Sequence, residues 1–140
     1  MLIVDLHLNG KLVIVVGSGN EGMKKVSSLL TQDCKILVIS SSSNSQLEKK
    51  SKQGRIEFKK MKLNDANFLS NYKPYLVMAT TNDRALNRKI VEKARKMKSY
   101  AYASDDPEVS DLHTHLSSMW LTLFKLQFLL VEAVLQWHAK

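Results

Sequence analysis

The stretch VIVVGSGNEGMKKVSSLL, from Val13 to Leu30, decides the fold. An apolar, β-branched run ends at Gly17-Ser18-Gly19, Gly22 takes the third glycine place of a GxGxxG pattern, and a helix-period segment follows directly. Strand, glycine loop and helix in that order build a dinucleotide-phosphate site. Gly17 allows the tight turn, Gly19 lets a pyrophosphate approach the backbone, and Gly22 lets helix and strand pack closely. The first turn of the helix then points unbonded N–H groups at the phosphates. The glycine pattern by itself is unspecific; its place between a strand and a helix gives it weight.

Outward from this segment, apolar runs of strand length alternate with helix-period stretches. Strands are expected at Lys11–Val16, Lys35–Ser40, Arg55–Lys60, Tyr75–Ala79 and Tyr100–Ala103. Helices are expected at Glu21–Leu30, Gln46–Gln53, Asn64–Leu69 and Asp83–Lys98, the last with Leu86, Ile90, Val91 and Ala94 on one face. The alternation predicts an α/β fold, a Rossmann-like parallel sheet with helices on both faces and right-handed crossovers. An atypical apolar C-terminal tail follows it. Ligands of such sheets bind at the carboxyl ends of the strands. Those ends carry Gly17 to Gly22, Ser40 to Ser43, Thr80 to Asp83 and Ser104 to Pro107.

The 140 residues suffice for one domain with a core, and an apolar fraction of 44% is ordinary for a globular protein. The net charge of +8 points to an anionic partner or to a solvated lysine surface. Basic and aromatic residues do not interleave as in an RNA-binding sheet, so nucleic acid is not an expected partner. Cys34 is the only cysteine, which excludes an internal disulfide and a cysteine metal cluster. His7, His113, His115 and His138 lack metal-ligand spacing, and no metal site is expected. The N-terminus lacks a signal-peptide pattern, so the cytoplasm is the expected compartment. The second strand ends in Ser40-Ser41-Ser42-Ser43, where an NAD site would place Asp or Glu against the ribose hydroxyls. Serines accept a ribose or a 2′-phosphate, so these residues leave NAD and NADP open.

The segments VDLHLNGKLVIVVGSGNEGMKKVSSLL, LVMATTNDRALNRKIVEKA and YAYASDDPEVSD resemble, in order and spacing, the N-terminal domain of siroheme synthases. These are precorrin-2 dehydrogenases, some of which are also sirohydrochlorin ferrochelatases. The resemblance runs from residue 3 to residue 111. It implies NAD-dependent oxidation of precorrin-2 to sirohydrochlorin in a homodimer, with possible Fe²⁺ insertion afterwards. It places the dinucleotide, NAD, on Gly17, Ser18, Gly19, Asn20 and Glu21, on Ser41 and Ser42, and on Thr80 and Thr81. It places the functional aspartate on Asp105. A carboxylate at the open end of the sheet could take the proton lost when a tetrapyrrole ring carbon gives up a hydride. Of the adjacent pair Asp105 and Asp106, one is expected to point inward and the other to cap the loop at Pro107. The family's asparagine ahead of the aspartate is replaced here by Tyr102.

After Asp111 the resemblance stops. The chain continues LHTHLSSMWLTLFKLQFLLVEAVLQWHAK, Leu-rich and nearly free of charge, where the family has its dimerisation region. Codons for Leu112 onward, shifted by two nucleotides, permit SYPPIINVADIVQTAI, and those for Phe128 to Lys140 permit STGGSSPAMARK. Both look like the missing family segment. The tail is therefore read as an out-of-frame copy, the alternative being a genuine lineage-specific tail, with residues 1–111 as the nucleotide domain and 112–140 as a divergent helical tail. Leu121 to Trp137 would form an apolar helix, short for a membrane span, which needs about 20 apolar residues. No membrane association is expected. The competing readings are a non-catalytic NAD-binding regulatory module and a scaffold that associates through its tail.

Overall fold

Valine, isoleucine and leucine fill the central strands because both faces of the sheet are covered. The computed structural model describes residues 5–112 and 116–138, with side chains of the last helix from residue 126 onward. Strand β1 is Leu12–Val16, β2 Lys35–Ser40, β3 Glu57–Lys60, β4 Leu76–Ala79 and β5 Tyr100–Ala103. Helix α1 is Asn20–Leu29, α2 Ser45–Lys52, α3 Arg84–Lys96 and α4 Leu116–His138. All strand pairs are parallel and the order is β3-β2-β1-β4-β5. The chain moves one way from β1 through β2 to β3, then returns to place β4 on the other side of β1. That reversal opens a crevice between β1 and β4 at their carboxyl ends.

Two cores lie on the two faces. Val13, Val15, Val38 and Met78 meet Val26 and Leu29 of α1 and Leu47 of α2. Ile14, Val16, Ile39 and Val77 meet Leu86, Ile90 and Ala94 of α3. Each such side chain, fully buried, contributes roughly 1.5–3 kcal/mol. The alternation of β1 between these clusters fixes the register, since a one-residue slip would exchange the two faces. Tyr102 belongs to the α1 side of β5, with the Lys25 ammonium 4.6 Å from its ring centroid. The residue that departs from the family pattern therefore packs beneath α1.

Most element boundaries shift by one or two residues from the sequence reading, and three differences stand out. The segment expected as a helix at Asn64–Leu69 is a 3-10 turn at Asn67–Asn71. Asp65 accepts from the backbone N–H of Asn67 at 2.9 Å and from its Nδ2 at 2.8 Å, and this local turn delays the helix. Strand β3 begins at Glu57 because the Arg55 N–H still closes the end of α2 on the Lys50 carbonyl at 3.1 Å. Helix α4 starts at Leu116, earlier than the apolar run alone suggests.

The outer edge of β5 is occupied by the segment that follows it. The Ala101 N–H donates to Asp111 Oδ2 at 2.9 Å, and the Ala103 N–H donates to Ser110 Oγ at 2.9 Å. The Asp111 N–H donates to the Ala101 carbonyl, and Arg95 clamps Asp111 Oδ1 at 2.8 Å.

Candidate functional site

The level register brings the loops after β1, β2, β4 and β5 to one edge. Gly17 has φ +116°, and a Cβ there would lie 2.8 Å from Thr80 Oγ1. Thr80 comes this close because its N–H and its hydroxyl both donate to the Val16 carbonyl, at 2.8 and 2.9 Å. A Cβ on Gly22 would collide with the Gly17 carbonyl oxygen and stand 3.0 Å from Thr80 Oγ1. These two glycines are required by the protein's own packing. Gly19 differs: a Cβ there would meet nothing within 4 Å. Gly19 is also the N-cap of α1, and no side chain caps that helix end. Open space beside uncapped amide groups fits a pyrophosphate. Asn20 and Glu21 form the first turn of α1 and are exposed, and Glu21 pairs with Lys24 at 3.0 Å.

The serines after β2 form the neighbouring wall. Ser40, nearly buried, shares a 2.7 Å hydrogen bond with the Ser18 hydroxyl and accepts from the Ser42 N–H at 3.2 Å. Asn44 Nδ2 donates to the Ser18 carbonyl at 2.9 Å, while its Oδ1 caps α2 through the Gln46 and Leu47 amides. The glycine loop and the serine loop are thus tied together at two points. Ser41 and Ser42 are left exposed, and the Ser43 hydroxyl accepts from Lys60 Nζ at 3.0 Å.

A cleft of about 520 Å³ lies between these walls and the loop after β4. Of the residues expected to hold a dinucleotide, Gly17, Ser18, Gly19, Ser41, Ser42, Thr80 and Thr81 all line it. Asn20, Glu21 and Asp105 stand outside its lining. Asn82 and Asp83, within the strand end already marked for ligands, also line it, as do Leu63 and Leu86, which the sequence reading did not connect with a ligand.

Asp105 reaches the cleft through one residue. Asn87 Nδ2 donates to Asp105 Oδ1 at 3.1 Å and to the Thr81 carbonyl at 2.9 Å. Asn87 Oδ1 accepts from the Thr81 hydroxyl at 2.6 Å and from its N–H at 3.2 Å. Asp105 is exposed and Asp106 is buried. Asp106 Oδ2 accepts from Arg88 at 3.2 Å and from Arg84 at 3.4 Å. Burial pushes the Asp106 carboxyl up, but the hydrogen bonds from Arg88 and Arg84 outweigh it and leave it below the usual carboxylate value. The inward-pointing member of the pair is therefore Asp106. It braces α3, while Asp105 faces solvent and bonds Asn87 where a cap on the loop at Pro107 was expected. His113 and His115 lie outside the described residues. Among the described residues, no helix is long and apolar enough to cross a membrane.

A parallel sheet with a glycine loop at its topological switch point defines a nicotinamide-dinucleotide-binding domain of the Rossmann type. The family model described as "Putative NAD(P)-binding" matches residues 4–115, and the chain belongs to this family, that of siroheme synthase N-terminal domains. A siroheme synthase of Actinobacillus pleuropneumoniae serotype 3 (strain JL03) is 30% identical over 103 residues, which are 74% of this chain and 21% of that protein. A precorrin-2 dehydrogenase of Priestia megaterium is 25% identical over 88 residues, 63% of this chain and 42% of that protein. The chain thus spans less than half the length of these curated relatives. Among solved structures, the precorrin-2 dehydrogenase SirC superposes with a TM-score of 0.64 at 19% identity, covering 81% of this chain and 54% of that one. The TrkA-N domain of the inner membrane protein ybaL from Escherichia coli superposes with a TM-score of 0.57 at 16% identity, covering 88% of this chain and 98% of that one. Both likenesses are of fold.

Proposed function

We propose that this chain oxidises precorrin-2 to sirohydrochlorin with a nicotinamide dinucleotide as hydride acceptor. The observation that carries the reading is the path Thr81–Asn87–Asp105, which holds a carboxylate one hydrogen-bonded residue from the cleft. When bound, the dinucleotide supplies a ring that accepts a hydride. The α1 amides, with Gly17, Ser18, Gly19, Asn20 and Glu21, hold its phosphates, while Ser41 and Ser42 face a ribose. Thr80 and Thr81 face the nicotinamide half. Asp105 takes the proton lost from the tetrapyrrole and, being exposed, passes it to water. The same carboxylate would accept pyrrole N–H protons if Fe²⁺ were then inserted. The net charge of +8 suits a substrate that carries many carboxylates. The setting is cytoplasmic and the working form a homodimer. In this reading residues 1–111 are the nucleotide domain and 112–140 the out-of-frame tail, which sequencing of the gene through the Asp111 codon would test.

The experiment is dinucleotide reduction by the full chain with precorrin-2, the product identified by its absorption spectrum. Asp105→Asn is expected to lower turnover by about 10²–10⁴-fold, the range for loss of a general base, with dinucleotide affinity retained. Equal loss of turnover and affinity would overturn the role of Asp105. The alternative of a non-catalytic dinucleotide module, favoured by the solvent exposure of Asp105, predicts binding without turnover in the wild-type chain.

A further inference from the structure

We propose that Arg84 and Arg88 form a docking pair for a carboxylate of the substrate, on the β5 side of the cleft; this rests on the reading of the chain as a tetrapyrrole dehydrogenase. The two arginines lie one helical turn apart on α3, with Asn87 between them. Asp83 just before Arg84 and Leu86 just after it line the cleft. This face of α3 meets the loop after β5 at two neighbouring residues. Asn87 Nδ2 reaches Asp105 Oδ1 at 3.1 Å, while Arg88 and Arg84 reach Asp106 Oδ2 at 3.2 and 3.4 Å. The guanidinium pair is thus held one residue along the chain from the carboxylate to which the proposed function gives the proton. The serine loop after β2 lies on the other side of β1 in the sheet, so the pair is separate from the contacts proposed for the dinucleotide's ribose.

Both guanidinium groups are oriented and largely unspent. Asp106, its side chain 9% exposed, holds each of them by one nitrogen, and the arginine side chains themselves are 70% and 57% exposed. Among the described residues Asp106 is the ion partner of both. Two cations on one carboxylate leave a net positive charge at the pair, with further N–H donors in each fork. A guanidinium fork matches the two oxygens of a carboxylate, and an arginine already held in place loses less rotamer freedom on binding. Asp106 is then a positioning residue, and the arginines touch the substrate. The acids nearby sharpen the placement. Asp83 is occupied as the α3 cap, its carboxylate on the Leu86 N–H at 3.1 Å. Asp105 repels a second carboxylate, so the pair draws the acidic rim of the substrate to the Asp106 side and leaves its ring to Asp105.

The test is titration of the full chain with sirohydrochlorin, the proposed product, and with its fully methyl-esterified form, which keeps the ring and removes the charges. Arg84→Gln and Arg88→Gln are made singly, because each leaves the other arginine on Asp106. Each should weaken sirohydrochlorin binding about tenfold, as loss of one charge-assisted contact implies, and leave the affinities for the ester and for the dinucleotide within about twofold. The KM for precorrin-2 should rise by the same factor. Added salt should narrow the gap between wild type and variant. Unchanged sirohydrochlorin affinity and KM in either variant, or an equal loss for the ester, would overturn the docking pair and leave the dehydrogenase reading standing. A wild-type chain that neither binds sirohydrochlorin nor turns over precorrin-2 would overturn both.

Discussion

Asn87 uses all four of its hydrogen-bonding positions while only 1% exposed, two on Thr81 as acceptor and one each on Thr81 and Asp105 as donor. It was invisible in the sequence because its partners lie 6 and 18 residues away and its place on α3 borders the apolar stripe. The glycines were legible because their constraint is local. They nevertheless divide into two kinds that the motif cannot separate. Gly17 and Gly22 serve packing, whereas Gly19 leaves open space beside the uncapped α1 amides, where the proposed reading puts the phosphates. Gly19 has an ordinary extended backbone, φ −77° and ψ −170°, that any residue adopts. Gly19→Val should therefore fold normally, with an unchanged melting temperature, yet fail to bind either dinucleotide in calorimetry. Retained affinity would place the phosphates elsewhere. Asp106 makes a second residue-scale prediction. Its carboxyl is depressed below 3.8 in the folded protein, so its stabilisation is full above that value and disappears as pH falls through the lower folded value. Urea midpoints of Asp106→Asn should vary less with pH across this acidic range than those of the wild type. Parallel curves would exclude the Arg84–Asp106–Arg88 bridge as a source of acid sensitivity.

At the scale of elements, strands and helices were readable where composition and period agreed, as in Val13–Val16 and in the α3 stripe Leu86, Ile90, Val91, Ala94. Their ends were not, because ends are set by single hydrogen bonds. The α3 terminus is an example. The helix closes with Lys98 at φ +61°, its N–H on the Arg95 carbonyl at 2.9 Å and the Ser99 N–H on the Ala94 carbonyl at 2.9 Å. That left-handed position favours glycine, and a lysine there carries a steric penalty. Lys98→Gly should stabilise the fold by about 0.5–1 kcal/mol. Chemical denaturation checks this, and a destabilised variant would mean that the lysine side chain contributes more than its backbone costs.

For the whole molecule, the sheet and its ligand edge followed from the alternation of strands and helices, since parallel strands with crossovers leave few topologies. The tail did not. Helix α4 leaves Phe128, Leu130, Leu135 and Trp137 exposed, the last to 76%. The buried core and the residues packed on it run from Leu6 to Leu112, so the sheet does not depend on the described part of α4. Apolar surface of this extent drives association. The full chain should sediment above monomer mass, and a chain ending at Leu112 should sediment as a monomer with a similar melting temperature. A strictly monomeric full chain would contradict this.

The side chains of Ser110 and Asp111 on the rim of β5 bear on how copies of this molecule can meet. An open sheet is a template: an unfilled edge invites a strand from the next copy and so growth without limit. Here the chain folds back and answers its own last strand, locked by an arginine. At the opposite rim, β3 is a short four-residue strand carrying the charged Glu57, Lys59 and Lys60, features that discourage a second strand from adding there. Both borders of the sheet are closed to polymerisation. Association of copies is then left to the faces and helices of the fold.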